Sequence, residues 1–556
     1  MIKLEKKWFL FVPVFALYLA GMFINVMEID AAQYAAMSLE MLDTHHFLEI
    51  YYRGENYIDK PPLLFWTAAL SFKLFGVSNF TYKLPSVLFT LLGLFSTYRL
   101  GKLVYNERAG FYAALTLASC QAWFLINHDV RTDTILAACT VLAIWQLAEF
   151  NHTKRNIHIL LAAFGIAGAM LTKGPIGFMV PALAFASDFI LKRKWSMFFL
   201  WQWILLIVLV FILLLPMLYG LYTQYDMSNG GKQTYNGVIT SGLRFYFWTQ
   251  SFGRLTGDST WSNDTDPFFF VHTFLWSFLP WSVFFILAFW KKIKEIWTNR
   301  FYLSGAQEAI TFGGILFPFI AFSLSRYKLP HYIYVFFPLV AILTGAQLDR
   351  MINNSSLNNG RALQIIQAIL SFLLVSLALI LAFFCFGLTN IFTISAGIAG
   401  VLLTIFFVFF GSTLVQRLVV PSFVAILTVN LLLNLFIYPN LLMYQSESVA
   451  SQFVKSSPTS TLIGFKTRSY SLDFYYQKPV PLFIDLDELR NAYRDQTIWV
   501  FTDEGGYEML RQSTFTIQDQ RVLDNFHVTT LTPEFLNPSS RPRTVSHNYI
   551  LRIKVL

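Results

Sequence analysis

The sequence predicts a polytopic α-helical membrane protein with a small α/β region at its C-terminal end. Of its 556 residues, 55% are hydrophobic, 18% are aromatic and only 13% are charged. A water-soluble protein of this size needs more polar side chains than that to cover its surface. Long apolar runs alternate with short groups of basic residues as far as about residue 440, and the long runs then stop.

The apolar runs give the positions of the spans. A helix needs about 20 apolar residues to cross the hydrocarbon layer, because its backbone groups must be hydrogen-bonded within the segment. This length predicts about thirteen spans. They cover residues 8–26, 83–101, 108–126, 133–150, 157–171, 174–191, 197–221, 269–290, 306–324, 331–348, 362–388, 391–411 and 418–437.

The first span follows a basic N-terminal segment and resembles a signal peptide. No small-residue cleavage site follows it, and many more spans do. We therefore expect an uncleaved first helix.

The basic residues between spans predict the orientation. Basic residues gather in alternate loops, which marks those loops and the N-terminus as cytoplasmic. An odd number of spans then puts the C-terminal region on the opposite face, the periplasm if the membrane is a bacterial inner membrane. The formal net charge of +9 is explained by these loops facing anionic lipid, so nucleic acid is not an expected partner. The groups that share one face are Lys3, Lys6 and Lys7; Arg99, Lys102 and Arg108; Lys154 and Arg155; Lys192, Arg193 and Lys194; Lys291, Lys292 and Lys294; Arg350 and Arg361; and Arg417.

Two domains are predicted. Residues 1–440 form the membrane domain, with long outer loops at 27–82 and 222–268, and residues 441–556 form a soluble α/β domain. Within the second domain, strands are expected at 461–465 and 498–502, and helices near 486–494 and 504–511. This domain carries no catalytic motif.

Charged residues on the predicted outer face need an explanation other than orientation. Lysine and arginine near helix ends can simply extend to lipid headgroups. Together with nearby acids, however, they would form a mixed pocket whose cations could hold the phosphate or pyrophosphate of a lipid-linked substrate. The basic residues are Arg53, Lys60, Arg131, Lys173, Lys232, Arg254, Arg326 and Lys328, and the acids are Asp30, Asp59, Asp129 and Asp133.

Asp30 is the best-placed acid, because it directly follows the first span. Its carboxylate could deprotonate a hydroxyl nucleophile or support a sugar cation, and Tyr34 falls four residues later on the same helical face. The alternative role for Asp30 is to cap an amphipathic helix that lies along the membrane interface. Further on, Pro61 and Pro62 fix Lys60 at a defined turn, and residues 63–75 form a second interfacial helix that Gly76 ends.

A series of short motifs then resembles a known family. Each motif is weak alone, but together they occur in order along nearly the whole chain. They are similar to the bacterial integral-membrane glycosyltransferases of the GT-C architecture, close to the aminoarabinose transferases that modify lipid A and related to the protein O-mannosyltransferases. The motifs are Asp30 after the first span, Tyr57-x-x-Lys-Pro-Pro62, Arg131-Thr-Asp133, Leu171-Thr-Lys-Gly-Pro175, Phe252-Gly-Arg254, Leu279-Pro-Trp281, Lys328-Leu-Pro-x-Tyr332 and Tyr470-Ser-Leu-Asp-Phe-Tyr-Tyr476.

The resemblance implies an inverting transferase that moves a sugar from a polyprenyl-phosphate donor, usually undecaprenyl phosphate, to a lipid or protein acceptor at the periplasmic face. It implies that the acids of the reaction centre are Asp30 and Asp133. It also implies that Lys60 and Arg254 hold the lipid phosphate. The remaining residues expected around the substrate are Tyr34, Tyr57, Arg131, Lys328 and Tyr332.

The chain departs from the family pattern directly after Asp30. Many relatives have a second acid next and an arginine three residues on, whereas this chain has Ala31 and Gln33. One carboxylate and one cation are thereby lost, so specificity for aminoarabinose, lipid A as acceptor and a divalent metal all stay open. A transporter or flippase for a lipid-linked sugar is the alternative function, although transporters favour midplane sites and repeated halves, which this sequence does not show. A membrane anchor for the C-terminal domain, with no pocket, is a third.

Overall fold

The computed structural model describes residues 8–227, 232–234, 237–239, 241–253, 263, 265–305, 307–353, 360–456 and 461–555. Most of the described chain is helical. The α-helices of seven residues or more are α1 Phe11–Gly21, α2 Asp30–Thr44, α3 Leu63–Phe75, α4 Asn79–Val104, α5 Glu107–Ala118, α6 Gln121–His128, α7 Thr132–Thr153, α8 Ile157–Lys173, α9 Ile176–Leu191, α10 Gln202–Leu221, α11 Phe269–Ser277, α12 Ser282–Thr298, α13 Ile310–Ser323, α14 Phe337–Asn353, α15 Gly360–Leu379, α16 Ile391–Phe410, α17 Leu414–Leu432, α18 Ser446–Lys455, α19 Tyr470–Tyr476, α20 Leu486–Tyr493 and α21 Glu504–Gln512.

Seven of the described helical segments are long and apolar enough to cross a membrane, and a bent pair would make an eighth. Five shorter apolar helices accompany them. The chain is thus a multi-pass membrane protein, while the count of thirteen spans and their orientation stay predictions. The seven are Asn79–Val104, Thr132–Thr153, Gln202–Asp226, Pro330–Asn353, Arg361–Cys385, Ile391–Phe410 and Leu414–Tyr444.

Two predicted spans are broken helices rather than continuous ones. The span expected at 108–126 bends by 51° between α5 and α6, and the span expected at 269–290 is interrupted between α11 and α12. The two breaks lie against each other: the Gln121 amide donates to the Leu279 carbonyl at 3.0 Å, and the Trp281 indole donates to the Ser119 hydroxyl at 3.1 Å. Irregular backbone is tolerated at such places because the protein itself satisfies the freed polar groups.

The first long loop folds into two helices, as predicted. α3 starts directly after Pro62 and ends at Gly76, whose φ of 78° suits the left-handed region that favours glycine. α2 starts at Asp30, and most of its residues are buried, because α3 and α19 of the C-terminal region both pack on it. Its location along the membrane interface stays a prediction.

A small sheet joins the two long loops. The strands β1 Tyr51–Tyr52 and β2 Glu55–Asn56 form a hairpin, and β3 Lys232–Thr234 and β4 Gly237–Ile239 form another. β2 and β3 are parallel neighbours, with Asn56 paired to Thr234. This contact ties the loop at 222–268 to the loop that carries Asp30.

The C-terminal region contains a mixed five-stranded sheet. Its strands are β5 Leu462–Phe465, β6 Leu482–Phe483, β7 Thr497–Asp503, β8 Thr516–Asn525 and β9 Ser546–Lys554, in the order β6-β5-β7-β9-β8. β5 is parallel to β6 and β7, and β9 is antiparallel to β7 and β8. Both strands and both helices expected from the sequence are present, as β5, β7, α20 and α21. The domain boundary at residue 440 and the periplasmic location stay predictions.

Candidate active site

Asp30 is part of a charged cluster made by two helix starts. It is the first residue of α2, and Arg131 is the residue directly before α7. The Arg131 guanidinium donates to Asp30 Oδ2 and, through Nε, to Asp129 Oδ2 at 2.8 Å. Burial opposes the charge of Arg131, but Asp129 and Asp30 outweigh that effect and raise its pKa. Arg131 is thus a fixed cation that holds both carboxylates in place.

Asp133 forms a second charged cluster on the same end of α7. Its side chain is only 1% exposed, and Oδ1 accepts from Lys173 Nζ at 2.5 Å. His331 Nε2 lies 3.7 Å from Oδ2. The Lys173 ammonium also lies 4.2 Å from the centre of the Tyr332 ring, a cation–π distance. Asp133 therefore touches Lys173 directly, and a catalytic role for it stays a prediction.

A cavity of about 110 Å³ lies between these groups and the Lys60 turn. Lys60 and Lys173 line it from two different segments, with Gln250, Ser251 and Tyr332 beside them. Ser325 adds a hydroxyl group, and the remaining wall residues are apolar. Two ammonium groups and apolar side chains in one cavity wall fit a ligand with an anionic head and an alkyl chain. The apolar side chains are Leu136, Ile176, Met179, Phe252, Ala321 and Phe322.

The turn that carries Lys60 is held on both sides. The backbone carbonyl of Asp59 accepts a hydrogen bond from the Gln250 side chain, and the two prolines after Lys60 restrict the backbone. The Tyr57 amide donates to the Ile50 carbonyl at 3.0 Å. Lys60 is therefore positioned by its backbone, as the sequence predicts.

Tyr34 and Tyr57 lie on either side of Phe65. Their rings are 5.9 and 6.2 Å from its centre, both edge-to-face. Burial raises the pKa of both phenols, and the charges of Asp30 and Asp59 add to the effect. Both hydroxyls therefore stay protonated at neutral pH and can donate hydrogen bonds beside Asp30.

The residues expected at the substrate are not all in the wall of this cavity: Lys60 and Tyr332 line it, whereas Tyr34, Tyr57 and Arg131 do not. Lys328 does not line the cavity; its ammonium group lies 3.5 and 3.3 Å from the backbone carbonyls of Thr265 and Asp266, and its amide donates to Asn263. It therefore holds the loop before α11 in place. Arg254 lies outside the described residues, although Phe252 lines the cavity.

The C-terminal region supplies contacts that have no assigned role in the sequence prediction. Asp473 on α19 binds Arg53 through two hydrogen bonds of 2.7 and 2.8 Å, and Gln33 donates to the Tyr470 hydroxyl at 3.2 Å. The motif that starts at Tyr470 was the available signal. The structure adds that this motif forms the helix on top of α2.

Among the residues that the structure describes, no group of three or more histidine, cysteine, aspartate or glutamate side chains is arranged to hold a metal ion.

Comparisons with known proteins show a family model and curated relatives that are similar to this chain. A model of the dolichyl-phosphate-mannose-protein mannosyltransferase family matches residues 59–219. Two curated relatives are named undecaprenyl phosphate-alpha-4-amino-4-deoxy-L-arabinose arabinosyl transferases. The one from Pseudomonas fluorescens (strain Pf0-1) is 26% identical over 60% of this chain, and the one from Edwardsiella ictaluri is 26% identical over 64%. The alignments span 57% and 61% of the length of these two relatives.

The whole fold has a counterpart among solved structures. ArnT from Cupriavidus metallidurans bound to undecaprenyl phosphate is similar with a TM-score of 0.73 over 99% of this chain and 98% of that chain. The sequence identity is 18%, so this likeness concerns the fold. The resemblance predicted from the motifs, to the aminoarabinose transferases and the protein mannosyltransferases, is confirmed.

Proposed function

We propose that this chain is an inverting glycosyltransferase that moves a sugar from a polyprenyl-phosphate donor to a lipid or protein acceptor at the periplasmic face of a bacterial inner membrane. The observation that carries the proposal is the cavity in which Lys60 and Lys173 meet apolar walls beside the Asp30 cluster. The curated relatives are named for an undecaprenyl-phosphate-linked sugar, which matches a ligand with an anionic head and a hydrocarbon tail.

The donor phosphate is held by charge. Lys60 and Lys173 donate charge-assisted hydrogen bonds to its oxygens, and Arg254 adds a third cation if it lies where the family resemblance implies. When the bond from the anomeric carbon to the phosphate oxygen breaks, that oxygen gains negative charge. The lysines therefore stabilise the transition state more than the bound donor, which lowers the barrier.

The acceptor attacks from the side of Asp30. An acceptor oxygen forms a bond to the anomeric carbon while the bond to the phosphate oxygen breaks on the opposite face, so the configuration inverts. The lipid phosphate leaves with the electron pair. If the acceptor is a hydroxyl, its proton passes to Asp30, whose Oδ2 is bound by Arg131 and whose Oδ1 has no hydrogen bond within the described part of the chain. If the acceptor is a phosphate, Asp30 orients the sugar instead.

The positions of the charged groups favour an enzyme over a lipid-linked-sugar transporter. Asp30 begins α2, Arg131 directly precedes α7, and Lys173 is the last residue of α8. Transporter sites lie near the bilayer midplane in the middle of interrupted helices, whereas these residues lie at helix ends.

The proposal extends to the donor lipid and not to its sugar. Ala31 is fully buried, and its carbonyl accepts from the Tyr82 hydroxyl at 2.7 Å, while Gln33 is turned to Tyr470. The acid and the arginine of the relatives' pattern have no substitute at these positions, so a sugar that needs both would lose two contacts.

Replacement of Lys60 by methionine tests the clamp. We expect kcat/KM for the labelled donor to fall about 10²-fold, since one transition-state contact to a charged oxygen is worth about 3 kcal/mol. Lys60→Arg should retain part of the activity because it keeps the charge. The assay is release of lipid phosphate by purified protein in nanodiscs.

Lys73→Met is the matched control, because Lys73 lies on α3 and is exposed. It should leave kcat/KM within about twofold of the unsubstituted protein, a free-energy change below about 0.5 kcal/mol. Unchanged transfer by Lys60→Met would remove the clamp from the mechanism. Absence of lipid phosphate release by the unsubstituted protein would refute the proposed activity.

A further inference from the structure

A second and larger cavity lies where the C-terminal region meets the segment before α2. Its volume is about 340 Å³, against about 110 Å³ for the cavity beside Lys60. Glu28 and Tyr52 line it from the membrane part, and Glu447, Arg468 and His527 line it from the C-terminal part. We call it the outer cleft. It is large enough for a small ligand by the usual size of such sites, about 300–1,000 Å³.

The outer cleft reaches the start of α2, because its wall includes Ile29, the residue directly before Asp30. Glu28 is two residues before Asp30 in the chain. Tyr470, another wall residue, accepts a hydrogen bond from Gln33 in the first turn of α2 at 3.2 Å. A ligand in the cleft would therefore lie next to the start of α2, between it and the C-terminal region.

Hydrogen bonds hold the part of the cleft wall that is formed by Glu28. The Glu28 carboxylate accepts from the Ser469 hydroxyl and from the Ser471 amide, the latter at 2.6 Å. The Glu28 amide donates to Gln445 at 2.8 Å. Burial raises the pKa of Glu28 to about 7 against the effect of these hydrogen bonds, so near neutral pH this carboxyl can both accept and donate.

The chemistry of the wall selects a class of ligand. The Tyr52 and Tyr470 rings lie 5.0 Å apart and offer flat apolar faces with polar edges. Around them are carboxyl, guanidinium and imidazole groups, which together accept and donate hydrogen bonds. A saccharide needs this combination, because its hydroxyls do both and its C–H faces are apolar. A phosphate site needs an excess of cations, whereas in this wall the carboxyl groups of Glu28 and Glu447 accompany one guanidinium, that of Arg468.

We propose that the outer cleft binds the saccharide part of the acceptor and presents a sugar hydroxyl, rather than a phosphate, to Asp30. This inference rests on the proposed glycosyltransferase function and deepens it. The new glycosidic bond would join the acceptor hydroxyl oxygen to the donor's anomeric carbon. The proton goes to Asp30, and the electron pair of the broken bond leaves with the lipid phosphate.

The test uses the full-length protein in nanodiscs with labelled polyprenyl-phosphate sugar and a glycolipid extract of bacterial outer membranes. Arg468→Ala and His527→Ala should each raise the acceptor concentration for half-maximal transfer at least about fivefold, the loss expected for one hydrogen bond. The KM for donor and the slow release of lipid phosphate without acceptor should not change. Arg511→Ala is the control, because Arg511 is exposed on α21, away from the cleft.

Treatment of the extract with phosphatase separates the two acceptor groups. The dephosphorylated extract should accept sugar at least as well as the untreated one. Loss of transfer after that treatment would overturn the inference, and so would label found in protein instead of glycolipid. Unaltered acceptor dependence in both cleft variants, with normal donor turnover, would overturn it while leaving the proposed function intact. No lipid phosphate release by the unsubstituted protein would refute the proposed function itself.

Discussion

The ion pair between Arg53 and Asp473 is expected to hold α19 on α2, and its removal is the sharpest test of how the C-terminal region is attached. Arg53 Nη2 and Nε lie 2.7 and 2.8 Å from the two carboxylate oxygens. The side chains are only 14% and 6% exposed. The pair joins the β1–β2 hairpin to a helix more than 400 residues away in the chain.

The loss of docking free energy depends on the burial of the ion pair and on the hydrogen bonds that Asp473 keeps when Arg53 is replaced. Removal of one member of a buried pair costs about 3–5 kcal/mol, because the other charge stays buried. In Arg53→Met, Asp473 still accepts from the Tyr52 hydroxyl and the Val480 amide, each at 2.8 Å. We therefore expect a cost at the lower end of this range, about 3 kcal/mol. This cost corresponds to roughly a 10²-fold shift in the docking equilibrium.

Hydrogen exchange of the α19 amides measures this equilibrium, because local opening exposes them. In nanodiscs, the amide hydrogens of residues 470–476 should exchange about 10²-fold faster in Arg53→Met than in the unsubstituted protein, since about 3 kcal/mol of docking free energy is lost. The reverse pair, Arg53→Asp with Asp473→Arg, should recover part of the protection.

The exposed pair Arg490–Asp487, with side chains 35% and 79% exposed, provides the control. Arg490→Met should change exchange of its own helix by less than about fivefold, as surface pairs contribute about 0–1 kcal/mol. If Arg53→Met leaves the exchange of residues 470–476 as slow as the control does, the ion pair does not hold the C-terminal region in place. Loss of protection with no recovery in the reversed pair would assign the effect to packing of Arg53 rather than to charge.

Three further predictions concern charged groups near the two cavities. The pKa of Glu28 is about 7 in the folded protein and 4.5 in its ordinary state. Glu28 therefore stabilises the docking of the C-terminal region fully below about pH 4.5, and this stabilisation is lost as the pH rises through 7. Glu28→Gln should remove this pH dependence, which hydrogen exchange measured at a series of pH values would detect. Asp133→Asn should raise the KM for donor at least about tenfold, because Lys173 loses its charged partner and its fixed position. A donor titration measures this KM, and an unchanged value would show that other contacts hold Lys173. Lys328→Ala should leave that KM unchanged but lower thermal stability by about 1–2 kcal/mol, measured by thermal unfolding, and a large rise in KM would restore Lys328 to the donor site.

Much of the site was predictable because its residues lie at chain positions with strong local signals. The fixed turn at Lys60 depends on the two prolines that follow it, and the helix start at Asp30 follows directly from the end of an apolar run. The pairing of Asp30 with Arg131 spans 101 residues, yet both were expected on one face from the alternation of basic loops. Local sequence and the sign of charge were enough for these conclusions.

Other features depended on packing between distant segments. Lys173 and Lys328 have the same chemistry and are both predicted outside, but only Lys173 lines the donor cavity; Lys328 binds carbonyls of a loop. The sequence does not distinguish them, because the direction of a long side chain depends on which acceptors the fold brings near. The covering of α2 by α19 likewise depends on contacts across more than 400 residues.

Hydropathy and proline or glycine signals act over a few residues, so the membrane class, most helix positions and the family resemblance could be predicted without a structure. Tertiary structure decided which cations share a cavity, where two apolar runs break, and that the C-terminal region forms one wall of the outer cleft. Those outcomes depend on long-range hydrogen bonds and ion pairs, whose partners no local pattern specifies.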